Sequence, residues 1–84
     1  MSSWFVYIIR CKTGQLYTGM TSNIKRRIGQ HNRGIGSKFT RGRRPVKLVY
    51  SETCKSRALA AKRETAIKKM ARMYKLSLIA NQRI

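Results

Sequence analysis

Six large or β-branched residues stand in a row near the start of the chain, Trp4-Phe5-Val6-Tyr7-Ile8-Ile9, while most of the remaining sequence mixes apolar and polar positions finely. A short unbroken run of this kind predicts a strand buried on both faces. Lys12-Thr13-Gly14-Gln15 then reads as a turn, with Gly14 able to take positive φ, and residues 16–21 as the antiparallel partner of a hairpin. Gly19 weakens that second strand and marks a place where another group comes close to the backbone.

Beyond the hairpin the spacing changes from two to between three and four. Ser22 predicts the N-cap of a helix that begins at Asn23, with Ile24, Arg27, Ile28 and His31 on one side of it. Gly34 is placed to end that helix in the left-handed conformation. Residues 35–45 read as a flexible basic loop closing at Pro45, and residues 46–50 as a short third strand. Ser56 caps the strongest helical pattern, residues 57–73, in which Leu59, Ala60, Ile67, Met70 and Ala71 form an apolar stripe among lysines and arginines. Residues 74–81 predict a further short helix or an extension of that one, docking Leu76 and Ile79. The order β-β-α-β-α-α specifies an α+β fold, a small three-stranded and mainly antiparallel sheet flanked by helices. With 84 residues there is room for one domain, 1–84, with a core over about 4–72 and a helical extension over 74–82.

Charge narrows the class of partner. Twenty Lys and Arg face two acids, Glu52 and Glu64, with no Asp, for a net charge of +18. Such a surface calls for a polyanion, because clustered cations neutralise phosphates and release counterions. A basic structural protein of the ribosomal type would share this composition. A membrane-surface protein would need an amphipathic helix with a broad aromatic or leucine face, which is lacking, so no membrane partner is expected. Nor is there a secretory signal. Cys11 and Cys54 are far apart, and His31 is the one histidine, so a zinc site cannot be completed. Two thiols of this kind fit a reducing, cytoplasmic setting. Lys25 and Arg26 on the first helix, and Lys38, Arg41, Arg43 and Arg44 in the loop, are the expected nucleic-acid contacts, made to the phosphate backbone with little base readout. Phe39 is a candidate for stacking on bases, whereas Trp4 reads better as core.

Candidate chemistry rests on five residues. Tyr7 and Tyr17 lie in the two hairpin strands, where tyrosine is also an ordinary strand former. They share a sheet face only if the hairpin loop has an odd number of residues or a bulge. Arg27 and His31 are one turn apart on the first helix. Glu64 is four residues before Lys68, the favourable order for a helical ion pair, and also lies about 40–60° round from Ala60 and Ile67, at the border of the core stripe. Glu52, at the end of the third strand, reads as a plain surface acid.

Phe5-Val6-Tyr7, nine intervening residues, Tyr17-Thr18-Gly19, then Arg27, His31 and a helical Glu64 resemble the GIY-YIG nuclease domain, and most closely its small stand-alone bacterial members. The likeness covers residues 4 to about 72. It includes Gly36-Ser37-Lys38-Phe39-Thr40, similar to a loop those members carry after the first helix. Phe5 stands where the first motif has Gly, and Thr18 where the second has Ile. The resemblance implies a metal-dependent endonuclease acting on DNA rather than RNA, with Mg²⁺ or Mn²⁺ as cofactor and a protein partner able to supply specificity. It implies that Tyr7 positions the attacking water and the scissile phosphate, that Tyr17 is general base, and that Arg27 binds the phosphate. His31 would stand near the nucleophile, and Glu64 would be the sole protein ligand of the metal. The alternative is a non-catalytic basic module that keeps the fold and binds DNA or RNA.

Overall fold

The apolar run becomes the middle of the sheet. In the computed structural model, which describes residues 3–82, β1 (Trp4–Cys11) lies between β2 (Leu16–Thr21) and β3 (Val46–Cys54), antiparallel to both. Val6, Tyr7, Ile8 and Ile9 are each 1% exposed or less. Two layers therefore cover the sheet. Behind it, Val6, Ile8 and Tyr50 pack with Ala60 and Ile67 of α3 (Arg57–Lys68), joined by Trp4, Leu16, Leu78 and Ile79. In front, Tyr7, Ile9, Cys11 and Val46 pack with Tyr17, Leu48 and the Ile24 and Ile28 side chains of α1 (Ile24–Asn32).

The helix ends follow local chemistry. α1 starts one residue later than expected: Asn23, not Ser22, is the N-cap, its Oδ1 accepting from Arg26 N–H at 3.0 Å. At the other end Gly34 takes φ +82, its N–H bonds to His31 O, and Ile35 N–H reaches back to Gln30 O. These two bonds form a Schellman cap, which satisfies carbonyls the helix leaves open.

Three expectations need correction. Residues 35–45 are not merely a loop, because Ser37 caps a single helical turn, α2 (Lys38–Arg41), by accepting from Thr40 N–H. β3 continues to Cys54, four residues past the expected end, held by its pairing with Trp4, Phe5, Val6 and Tyr7. The helix expected over 57–73 ends at Lys68, and α4 (Arg72–Asn81) comes after a short break. One helix over 57–81 would be about 37 Å long, longer than the 31 Å that the molecule spans. The break lets Leu78 and Ile79 fold back onto the rear core. Leu59, expected in the apolar stripe, is 49% exposed.

Cys11 and Cys54 are free and lie at opposite ends of the β1–β3 ladder, opposite Val46 and Trp4 respectively. At the outer strand, the Gln82 side chain accepts from Ser51 N–H at 3.0 Å and donates to Ser51 O, so one amide engages both backbone groups of a β3 residue. Among the described residues no helix is long and apolar enough to cross a membrane.

Candidate active site

The hairpin decides whether the tyrosines can cooperate. Cys11 N–H bonds to Gln15 O at 2.8 Å, which leaves Lys12, Thr13 and Gly14 between them, an odd loop with Gly14 at φ +95. Three-residue loops with a left-handed glycine are a standard hairpin solution. Tyr7 consequently faces Gly19, and Tyr17 faces Ile9, so both rings lie on the front face, two positions apart along β2. Gly19 permits this. A Cβ there would sit 2.6 Å from Tyr7 Cζ, so the ring occupies the place of the missing side chain.

Behind the rings lies a buried polar chain. His31 comes off the last turn of α1 and is fully buried, its Nε2 2.9 Å from the Tyr7 hydroxyl and its Nδ1 2.8 Å from Thr40 Oγ1. Thr40 is itself fully buried and 2.9 Å from the Ser37 hydroxyl. The Tyr17 ring stands edge-on to His31, with centroids 5.3 Å apart. Gly36 runs against the imidazole so closely that a Cβ would lie 2.7 Å from its Cγ. Burial, then the nearby Arg27 charge, lowers the His31 pKa and keeps the imidazole neutral.

Arg27 is held by both arms, Nη1 donating to Gln30 Oε1 at 3.0 Å and Nη2 to Gly36 O at 2.9 Å. The same guanidinium bears on Tyr7. Burial raises the Tyr7 pKa, Arg27 opposes that rise, and the Tyr17 and Glu64 charges add to it. Three of the other four candidate residues thus bear on the Tyr7 hydroxyl by charge, and the fourth, His31, is bonded to it.

Glu64 comes from the rear layer. Taking 100° per residue, Arg63 and Glu64 lie about 50° either side of the Ala60–Ile67 stripe. Arg63 Nε bonds both oxygens of Glu52 on β3, at 3.1 and 2.9 Å, so the other flank, with Glu64, is turned towards β2. The Glu64 side chain is 20% exposed and pairs with Lys68 at 3.5 Å. Among the described residues no three His, Cys, Asp or Glu side chains gather. A lone hard carboxylate suits Mg²⁺ or Mn²⁺, because Mg²⁺ keeps several waters and takes other ligands from substrate phosphate.

Glu52 corrects another expectation. It is no plain surface acid, since it accepts from the Tyr50 hydroxyl as well as from Arg63 and ties α3 to β3. The basic residues divide in the same way. Lys25, Arg26, Lys38 and Arg41 are exposed. Arg43 donates to Phe39 O and lies 4.1 Å over the Phe39 ring, which stacks on Tyr17 at 5.8 Å. Arg44 donates to Arg41 O and packs against Gly34. Arg41 and Arg44 share an open cleft of about 490 Å³ with Asn32, Gly42 and Pro45. Sequence reasoning notes Ser37 and Thr40 only as members of the Gly36–Thr40 loop and gives them no role at the site; a further signal is a capping serine three residues before a threonine.

A front-face tyrosine pair on a three-stranded antiparallel sheet, with arginine and histidine from the next helix and a glutamate from the helix behind, defines a GIY-YIG catalytic domain. The family model of that name matches residues 3–76, and the chain belongs to this family. Its relatives are small bacterial proteins. It is 54% identical over 78 residues to a UPF0213 protein of Desulfotalea psychrophila, covering 92% of this chain and 71% of that one. It is 48% identical over 79 residues to a UPF0213 protein of Staphylococcus haemolyticus, covering 94% and 96%. Among solved structures it resembles the UPF0213 protein of Bacillus halodurans, with TM-score 0.60 and 40% identity over 93% of this chain and 83% of that one. A protein of E. faecalis gives TM-score 0.61 and 33% identity over 100% and 97%.

Proposed function

We propose that this protein is a divalent-metal-dependent endonuclease that hydrolyses phosphodiester bonds in DNA. The observation that carries the reading is the buried Tyr7 hydroxyl bonded to His31, with the Tyr17 ring edge-on to the same imidazole and Arg27 clamped to Gly36 O on the neighbouring loop. In this reading Arg27, already held in place, takes the scissile phosphate and stabilises the charge that develops on it. Tyr7 orients the attacking water, and Tyr17 removes its proton as general base. Glu64 holds the metal, which when bound would polarise the phosphate and neutralise the leaving oxygen. Lys25, Arg26, Lys38, Arg41, Arg43 and Arg44 hold the backbone on either side, which makes binding steeply salt-dependent.

Phe39, stacked over Tyr17, favours a second reading, a nucleic-acid-binding module in which that tyrosine supports an aromatic platform. Strand cleavage separates the two. Purified protein is given plasmid, branched DNA and RNA with Mg²⁺ or Mn²⁺, beside Glu64→Ala and Tyr17→Phe. Metal-dependent cleavage that both substitutions abolish, with binding retained, supports the nuclease. Absence of cleavage with equal binding by all three proteins supports the module.

A further inference from the structure

We infer that Thr40 is a positioning residue of this site: its hydroxyl accepts the Nδ1 proton of His31, leaving Nε2 bare as the acceptor for the Tyr7 hydroxyl proton. The inference rests on the nuclease reading for its consequence, and on proton accounting for its geometry.

His31, Thr40 and Tyr7 are 0%, 0% and 1% exposed, so each of their polar hydrogens needs a protein acceptor. The neutral imidazole carries one proton, and the chain Tyr7–His31–Thr40–Ser37 can be ordered in two directions. In the first, Tyr7 donates to Nε2, Nδ1–H donates to Thr40 Oγ1, and Thr40 donates onward to Ser37. Every proton is accepted. The Tyr7 oxygen then has lone-pair capacity left for Arg27, which bears on it. In the second, Thr40 donates to Nδ1 and Nε2–H donates to Tyr7. The Tyr7 proton is then left over, with a cation on one side and the Gly19 backbone against its ring. His31 is the one acceptor in hydrogen-bond contact with that hydroxyl among the described residues. A buried donor without an acceptor decides against the second order.

The consequence is directional. With its proton turned inward to Nε2, Tyr7 presents only lone pairs towards Arg27 and the front of the site. In that orientation it cannot protonate a leaving oxygen. Thr40 enforces this through the partner nitrogen, the usual way in which a histidine tautomer is set. Ser37 keeps Thr40 in place, because its Oγ accepts from Thr40 N–H at 3.2 Å.

His31 is the only histidine in the chain, so long-range ¹H–¹⁵N spectra of labelled protein report its tautomer without ambiguity. In the free wild-type protein above pH 7, Nδ1 is expected to be protonated and Nε2 bare. Thr40→Val should move the proton towards Nε2, and Thr40→Ser should not. In cleavage, Thr40→Val should lower kcat on the order of tenfold, the low end of what losing a histidine's hydrogen-bond partner costs at metal centres, with KM unchanged. Thr40→Ser should restore kcat. A wild-type protein with Nε2 protonated overturns the inference, as does a tautomer that ignores Thr40→Val. If Thr40→Val does not fold, the wild-type and Thr40→Ser spectra decide it. Because the tautomer is read without substrate, failure of the nuclease reading appears separately, as a wild type that cleaves nothing.

Discussion

The two faces of β1 are built on different principles. Behind it, Val6 and Ile8 meet Ala60, Ile67 and Tyr50 through apolar contact, which is non-directional and tolerant of small shifts. In front, Tyr7 bonds to His31, His31 to Thr40, and Arg27 to Gly36 O, through hydrogen bonds that hold only at one geometry. One strand thus separates the layer that holds the fold together from the layer that aims side chains. Alternate residues of the same run belong to different tasks.

The largest expected effect tests the rear. Ile67 is fully buried there, and Ile67→Ala should cost about 3–4 kcal/mol in denaturant unfolding. A loss under about 1 kcal/mol would mean that stability resides elsewhere. Gly19→Ala tests the front, since the new methyl would claim the space of the Tyr7 ring. Overpacking of this kind should cost about 2 kcal/mol. The displaced hydroxyl should also lower cleavage per folded molecule by about a hundredfold. Unchanged cleavage would detach Tyr7 from the chemistry.

Smaller is the effect at Thr18, whose Oγ1 is buried with no hydrogen-bond partner. It is the polar intruder on the rear side, opposite Ile8. Thr18→Val should raise stability by about 1 kcal/mol, read as a higher denaturant midpoint at unchanged slope. The mildest signal is a slope with pH. The folded pKa of His31 lies below its ordinary value of 6.5, so between the two the unfolded chain binds more protons. The stability tied to a neutral His31 is full above about pH 6.5 and is lost as pH falls towards the folded pKa. Urea midpoints should therefore drop from pH 7.5 to 5, and His31→Gln should remove much of that drop.

Legibility in the sequence respects the same division. β1, the Gly14 turn, β2 and the cap of α3 are readable because each depends on local pattern or on backbone freedom. The parity of the loop, on which the tyrosine pair depends, is set by Gly14 and its neighbours alone. The front site is readable as a set of residue types through its resemblance to a family, and the Gly36–Thr40 loop with it, yet the part that Thr40 and Ser37 play is not. Their role arises only when a loop folds back over α1, a contact nine residues distant in the chain that no periodicity records. Glu52 misleads for a related reason. Its place in a longer β3, and its pairing with Arg63, depend on how far the partner strand extends. The break between α3 and α4 carries no Gly or Pro and is imposed by packing on the rear core.

The Gln82 amide that engages Ser51 stands 31 residues downstream of it. At 5–20 residues per second, translation reaches that glutamine about two to six seconds after the outer strand has been made. Until then the middle of β3 offers bare N–H and C=O groups to any passing extended chain, the situation in which strands add to sheets intermolecularly. Ser51 thus stays open to strand addition until a residue made well after it arrives, and one side-chain amide then occupies both of its backbone groups.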